Sequence, residues 1–285
     1  MKVIDNKALL LRLRDPAKVT DVIPKSKELS GNRVVVNWGV DEAHVLKNLN
    51  IHAPSPIEGK YKWTGKYKPF EHQKTTSGFL TLNKRAFCFN EQGTGKTASA
   101  IWAADFLMKQ GRIKRALVIC PLSIMDSAWR EDLFSFAMHR KVDIAHGSAK
   151  KRTAVIEDDA EFVIINYDGV AIVSDAIANG GFDLVIVDEA THYKNAQTDR
   201  WKTLNRLLGP DKWLWMMTGT PAAQSPLDAY GLAKLVNPKA VPRFFGSFRD
   251  QVMVKVTNFK WVPKPNATET VFSALQPAIR FTKEE

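Results

Sequence analysis

Only two cysteines occur in the 285 residues, Cys88 and Cys120, and each lies inside an apolar run, RAFCFN or ALVIC. A disulfide framework is thereby excluded. With no Cys or His cluster at ligand spacing, so is a zinc-built fold. The two thiols are expected to be reduced, buried and structural, as in a cytosolic protein. No apolar run approaches the ~18 residues that a membrane-spanning helix needs. The N-terminus, MKVIDNKALLLRLRDP, sets charge on both sides of a short apolar run and lacks a small-residue cleavage site, so it does not read as a signal peptide. These absences point to the cytoplasm and away from a membrane. Internal repeats and low-complexity tracts are missing too.

Acidic residues are in short supply: 30 Asp and Glu stand against 41 Lys and Arg, a net charge of +11. This balance suits a polyanion, nucleic acid first, although solubility alone would also accommodate it. Hydrophobic residues make up 45%, enough for a sizeable core. Six apolar runs recur with helical patterns between them: RAFCFN (85–90), RALVIC (115–120), KVDIAH (141–146), EFVIIN (161–166), FDLVIVDE (182–189) and WLWMMTG (213–219). Such alternation predicts an α/β fold, a mainly parallel sheet sandwiched by helices. WLWMM reads as core strand. TASAIWAADFLMKQG predicts a helix stopped at Gly111, and SIMDSAWREDLFSFA a helix capped by Ser123, with Asp126 three residues on.

Residues 1–58 differ. They read as strand (ALLLRLR), loop, strand (RVVVNWG) and short helix, a small α+β accessory domain. A boundary is expected near residue 59, with 59–69 as linker and 59–285 as the main domain. The aromatic-basic stretch KYKWTGKYK could stack bases. Equally, it could be a solvated linker whose Trp63 packs on the main domain.

NEQGTGKT (90–97) falls between a strand pattern and a helix pattern. Backbone N–H groups at a glycine turn on a helix N-terminus cradle phosphate oxygens. Gly93 and Gly95 permit the turn, with Gln92 and Thr94 beside them in the loop. Lys96 would reach the β- and γ-phosphates of ATP, and the Thr97 hydroxyl would ligate magnesium. The pattern G-x-x-x-x-G-K-[ST] wants Gly where this chain has Asn90.

Two nearly identical words follow different logic, VDEAH at 40–44 and VDEATH at 187–192. A magnesium-binding carboxylate belongs at the carboxyl end of a strand, expected here beside the phosphate strand. Asp188 ends the apolar run FDLVIVD and meets that requirement. Glu189 would polarise the attacking water. Asp41 has no phosphate loop before it, and the apolar spacing after it suits a helix, so the first word reads as a helix start.

With these elements placed, residues 67–285 resemble helicase superfamily two, and within it the Swi/Snf-type double-stranded-DNA translocases. YKPFEHQ (67–73) resembles the adenine-reading segment, with Gln73 as base reader. NEQGTGKT resembles the family's D-E-x-G-x-G-K-T, which also lacks the first Gly. LVICPLSIMDSAWREDL resembles motif Ia, whose Pro121-Leu122-Ser123 turn would touch a nucleic-acid backbone. IINYDG implies a similar role for Asn166 and Tyr167. VDEATHYKN matches D-E-A-H-R-x-K-N with Thr191 where the family has His, and with His192 shifted by one. MTGTPAAQ resembles motif III, with Gln224 replacing Asn, and Thr218, Gly219 and Thr220 would couple the nucleotide site to lobe movement. The N-terminal segment and the RWKTLN and FRDQVM phrases look most like bacteriophage-encoded members, for which the host cytoplasm is implied.

The resemblance implies ATP hydrolysis in a cleft between two RecA-like lobes, duplex DNA bound without regard to sequence, and a monomer. No second phosphate-binding pattern follows residue 238. Residues 239–285 read as an extension toward an absent second lobe, so a piece of a longer protein is expected rather than a stand-alone lobe. Two other readings stand beside this one: a non-catalytic DNA-binding or docking module that kept the fold, and the motor of a restriction enzyme, for which no nuclease segment is visible.

Overall fold

The computed structural model describes residues 1–222, 224–257 and 260–284. Four short strands open the chain: β1 (Lys2–Ile4), β2 (Ala8–Arg12), β3 (Lys27–Leu29) and β4 (Arg33–Asn37). They pair antiparallel in the order β1-β2-β4-β3. The two strands legible in sequence are the central pair, whose Leu9, Leu11, Val34 and Val36 share one buried face. The edge strands have three residues each, too few to show an alternation.

A helix follows at Val40–Asn48, with Asp41 and Glu42 in its first turn, where carboxylates favour the free N–H groups. Asp41 forms an ion pair with Arg112, so the first DEA word is a helix start. Leu46 packs into the small sheet's core, while Val40 packs into the core of the larger sheet, tying the two together. The stretch read as a linker is anchored at its start. Tyr61 is buried, its hydroxyl donates to Asp105 at 2.6 Å, and Trp63 meets Trp102 edge-on at 5.5 Å. Of the two roles open to Trp63, packing is the one realised.

All six apolar runs are strands: β5 (Arg85–Cys88), β6 (Ala116–Cys120), β7 (Val142–Ile144), β8 (Phe162–Asn166), β9 (Leu184–Val187) and β10 (Trp213–Met217). A hairpin of β11 (Met253–Lys255) and β12 (Trp261–Pro263) follows, then β13 (Ala278–Ile279). The main sheet is parallel throughout, ordered β13-β5-β10-β9-β6-β8-β7. Alternate residues divide between its faces. Leu117, Ile119, Val185, Val187, Leu214 and Met216 face one helical layer; Val118, Cys120, Leu184, Ile186, Trp215 and Met217 face the other. Burial on both faces is why these strands read as continuous apolar runs. WLWMM is core strand, and both cysteines are free and buried, their thiols pushed up to about 12 by desolvation.

One expectation fails. The strand bearing Asp188 is not adjacent to the phosphate strand, because β10 lies between β5 and β9. The carboxylate therefore meets the phosphate loop across the end of β10, which puts Thr218 between them in strand order.

Candidate functional site

Because the sheet is parallel, the carboxyl ends of β5, β6, β8, β9 and β10 share one edge, and the candidate residues follow them there. After β5 the chain turns through 90–95 into the helix Lys96–Lys109, which stops as expected before Gly111 at φ +67°. Gly93 and Gly95 sit at φ +86° and +80°, where a side chain would be strained. A Cβ on Gly95 would also stand 2.1 Å from Gln73 Nε2. Lys96 Nζ donates to Glu91 O at 3.2 Å, folded back over its own loop.

Asn90 has its own task. It is fully buried; its Nδ2 donates to Thr76 Oγ1 at 2.8 Å and its Oδ1 accepts from Phe281 N at 3.0 Å. The residue that misses the glycine pattern thus pins the loop to the helix Glu71–Thr81 and to the segment after β13. Gln73 supports the same loop: Nε2 donates to Thr94 O at 3.2 Å and Oε1 accepts from Phe70 N at 3.0 Å. His72 Nε2 donates to that same Thr94 carbonyl at 2.9 Å.

Asp188 is 8% exposed at the end of β9. Its Oδ2 accepts from Trp129 Nε1 at 3.0 Å and its Oδ1 from Glu189 N at 3.0 Å. Burial raises its pKa above the usual carboxylate value, while Trp129, the Glu189 N–H and the charge of Lys96 pull it back. Glu189 itself lies in the left-handed region, φ +48°, a conformation that a non-glycine residue holds only when its surroundings impose it. Thr218 N donates to Cys88 O at 3.0 Å, and a Cβ on Gly219 would stand 3.7 Å from Gln92 N. Thr220 N donates to Thr218 Oγ1 at 3.3 Å. The 218–220 turn is therefore seated against the phosphate loop.

A cleft of about 660 Å³ opens here. Gln73, Gln92, Gly93, Gly95, Lys96, Thr97, Asp188 and Glu189 all line it, and Pro121 does too. Tyr67, Lys68 and Phe70, from the segment that resembles an adenine reader, join them, as does Asp132, which sequence reasoning did not single out. Burial and the neighbouring Glu131 push the Asp132 carboxyl up to about 6.

The candidate nucleic-acid contacts divide. Leu122 (57% exposed) and Ser123 face solvent on a 3₁₀ turn, Leu122–Ile124, without the Ser123 side-chain cap expected there. Asn166 is half-buried and accepts from Arg152 Nη1 at 2.8 Å. Tyr167 does not fit a backbone contact. It is 7% exposed, its hydroxyl donates to Asp188 O at 2.6 Å, and His192 and Arg200 cover its ring at 4.5 and 5.1 Å. His192, one place out of register, thus meets Tyr167, while Lys194 links to the next motif through Gln224 Oε1 at 2.6 Å and Asp228 Oδ2 at 3.3 Å.

Comparison with known proteins bears on the family and the fold. Residues 77–280 match the family model for the SNF2-related domain. A protein of the Acyrthosiphon pisum secondary endosymbiont phage 1 is 27% identical over 181 residues, 60% of this chain and 39% of its own. The SWI/SNF-related matrix-associated actin-dependent regulator of chromatin subfamily A-like protein 1 of Xenopus laevis is 27% identical over 186 residues, 64% of this chain and 18% of its own. Among solved structures, the Sulfolobus solfataricus SWI2/SNF2 ATPase core in complex with dsDNA superposes with a TM-score of 0.66 at 21% identity, covering 78% of this chain and 46% of that one. This chain spans less than half the length of each of these three. The parallel sheet and the family match covering residues 77–280 lead to one conclusion: the chain belongs to the SNF2-related domain family, the Swi/Snf-type helicase-like ATPases.

Proposed function

We propose that residues 59–285 are the ATP-binding lobe of an ATP-driven motor that moves on double-stranded DNA irrespective of sequence, acting with a second RecA-like lobe, and that residues 1–58 are an accessory domain. The observation that carries this reading is the meeting of Lys96, Thr97, Asp188 and Glu189 in one cleft at the carboxyl edge of a parallel sheet. Backbone N–H groups of the 92–97 loop receive phosphate oxygens at the N-terminus of a 14-residue helix. Lys96 leaves the Glu91 carbonyl for the β- and γ-phosphates. Gln73 holds the loop's shape through Thr94 while facing the cleft where the base would lie.

Thr97 and Asp188 would hold magnesium, which supplies charge neutralisation on the phosphates. The donor set fits a cation: the hydrogen-bond partners of the buried Asp188 carboxylate are two neutral N–H groups, from Trp129 and Glu189. Glu189 orients a water toward the γ-phosphate and takes up its proton. Residues 218–220, seated on the phosphate loop, pass the change toward the second lobe. Pro121, Leu122, Ser123 and Asn166 lie along the same sheet edge and contact DNA phosphates, which give affinity but little sequence information.

ATP–magnesium titration tests this against three variants. Lys96→Ala and Asp188→Ala lose nucleotide affinity, the second only when magnesium is present, whereas Asp41→Ala leaves affinity unchanged. Equal affinity for the wild type and Lys96→Ala, or a larger loss from Asp41→Ala than from Asp188→Ala, refutes the assignment.

A further inference from the structure

We infer that Trp129 is a positioning residue for the metal-holding carboxylate, its indole N–H fixing the Asp188 Oδ2 so that the carboxylate presents one rotamer to magnesium. This rests on the reading of Asp188 given above.

Trp129 is fully buried, and a buried indole N–H needs an acceptor. Four other tryptophans of the chain, Trp38, Trp102, Trp201 and Trp215, satisfy theirs with backbone carbonyls of Pro54, Thr64, Gly231 and Asn83. Any carbonyl would serve a tryptophan whose work is packing. Trp129 instead donates to an ionisable side chain, 59 positions away in sequence, at 3.0 Å.

The element that carries it is also unusual. Met125–Arg130 is a π-helix, set between the 3₁₀ turn Leu122–Ile124 and the α-helix Glu131–Phe136. π-Helical turns are rare and concentrate at functional sites. This one buries only Met125 and Trp129. Ala128 within it and Ile124 just before it line the nucleotide cleft, so the same turn forms a wall of the site and reaches beneath it to Asp188.

The effect on the carboxylate follows from its two bonds. Oδ1 is held by the Glu189 N–H and Oδ2 by the indole, so neither oxygen can rotate away without leaving a buried donor unpaired. A metal ligand oriented in this way by an outer hydrogen bond typically loses 10–100-fold in metal affinity when that bond is removed.

The test reads metal dependence by equilibrium binding. Fluorescent ATP analogue affinity is measured across a magnesium series and in excess chelator for the wild type, Trp129→Phe, Asp188→Asn and the double variant. Trp129→Phe is expected to raise the half-saturating magnesium concentration about tenfold, to leave the affinity in chelator unchanged, and to add nothing in the Asp188→Asn background. Asp188→Asn without effect on magnesium dependence refutes the reading of Asp188. Asp188→Asn with an effect, beside Trp129→Phe with none, refutes the role of Trp129 alone. So does a Trp129→Phe loss that persists in chelator, which is a packing defect. Should the Trp129→Phe variant not fold, the unsubstituted chain still decides the matter. Its Trp129 indole ¹⁵N–¹H resonance must shift when magnesium is added to the nucleotide-bound protein, and an unmoved resonance overturns the inference.

Discussion

Asn90 shows how a single residue can defeat a pattern and still be placed by physics. Sequence could say that glycine was missing from the phosphate loop, but not why. The reason is two long-range hydrogen bonds from a side chain with no solvent exposure, to Thr76 and to the Phe281 amide. Restoring the pattern with Asn90→Gly should therefore destabilise the protein, by about 2–4 kcal/mol for two buried partners left unpaired, read as a lower midpoint in urea unfolding. Asp132 carries a different signature. Its carboxyl titrates at about 6 in the folded chain against 3.8 without the fold. A raised carboxyl binds its proton more tightly when folded, so this group's contribution to stability is fully present below 3.8 and is lost as pH rises through about 6. Asp132→Asn should remove that slope and stabilise the protein at pH 7.5 by about 1–2 kcal/mol after allowance for solvent screening; unfolding midpoints at pH 4.5 and 7.5 measure both. That Lys96, Thr97, Asp188 and Glu189 would meet in one cleft was legible because strand, turn and helix patterns surround them. The covering of Tyr167 was not legible, because nothing local reveals that its ring would meet His192 and Arg200, 25 and 33 positions further along the chain.

Elements were readable where they were long or buried on both sides. Six runs of apolar residues became six strands of the main sheet, and the helix Lys96–Lys109 stops at its glycine. Short edges were not readable. β13 has two residues, yet with the segment around it it closes the side of β5: Phe87, Phe89 and Glu91 donate backbone N–H groups to Pro277, Ile279 and Phe281 at 2.8–2.9 Å. The same segment brings the Lys283 amide to the Glu91 carboxylate and the Phe281 ring to His72, so one peripheral strand braces the phosphate loop. The π-helix Met125–Arg130 was likewise invisible, since its sequence shows ordinary helical spacing. Removing residues 277–285 should cost about 2–4 kcal/mol, three backbone hydrogen bonds at about 1 kcal/mol each, and should expose an open sheet edge prone to association. Hydrogen exchange at the Phe87, Phe89 and Glu91 amides, fast in the shortened chain and protected in the full one, is the direct measurement.

At the scale of the whole molecule, charge and the proposed need for an opposing lobe set what is expected. With a net charge of +11, duplex DNA binding should weaken linearly on a log–log plot against salt and discriminate little among unrelated sequences; a flat plot would count against phosphate contacts. Hydrolysis should depend on what faces the cleft. The described residues place one glycine loop and one carboxylate pair in the cleft, and in the proposed reading these would cradle a triphosphate from a single side. In the two-lobe mechanism, cationic groups from the opposite lobe stabilise the charge that builds on the γ-phosphate, commonly worth ~10³ or more in rate. Losing that factor corresponds to about 4 kcal/mol in the barrier. The 285-residue chain tested by itself should therefore bind ATP modestly, hydrolyse it slowly, and respond little to DNA. Charges in an open cleft are screened by water on the side that an opposing lobe would cover, so affinity is expected to be low as well as rate. Steady-state phosphate release with and without duplex DNA, across a range of protein concentrations, separates the cases. A slow rate independent of concentration is the expected result. A rate per chain that climbs with concentration means that a second copy supplies the cation. Brisk, DNA-stimulated turnover at the lowest concentration would refute the need for an opposing lobe.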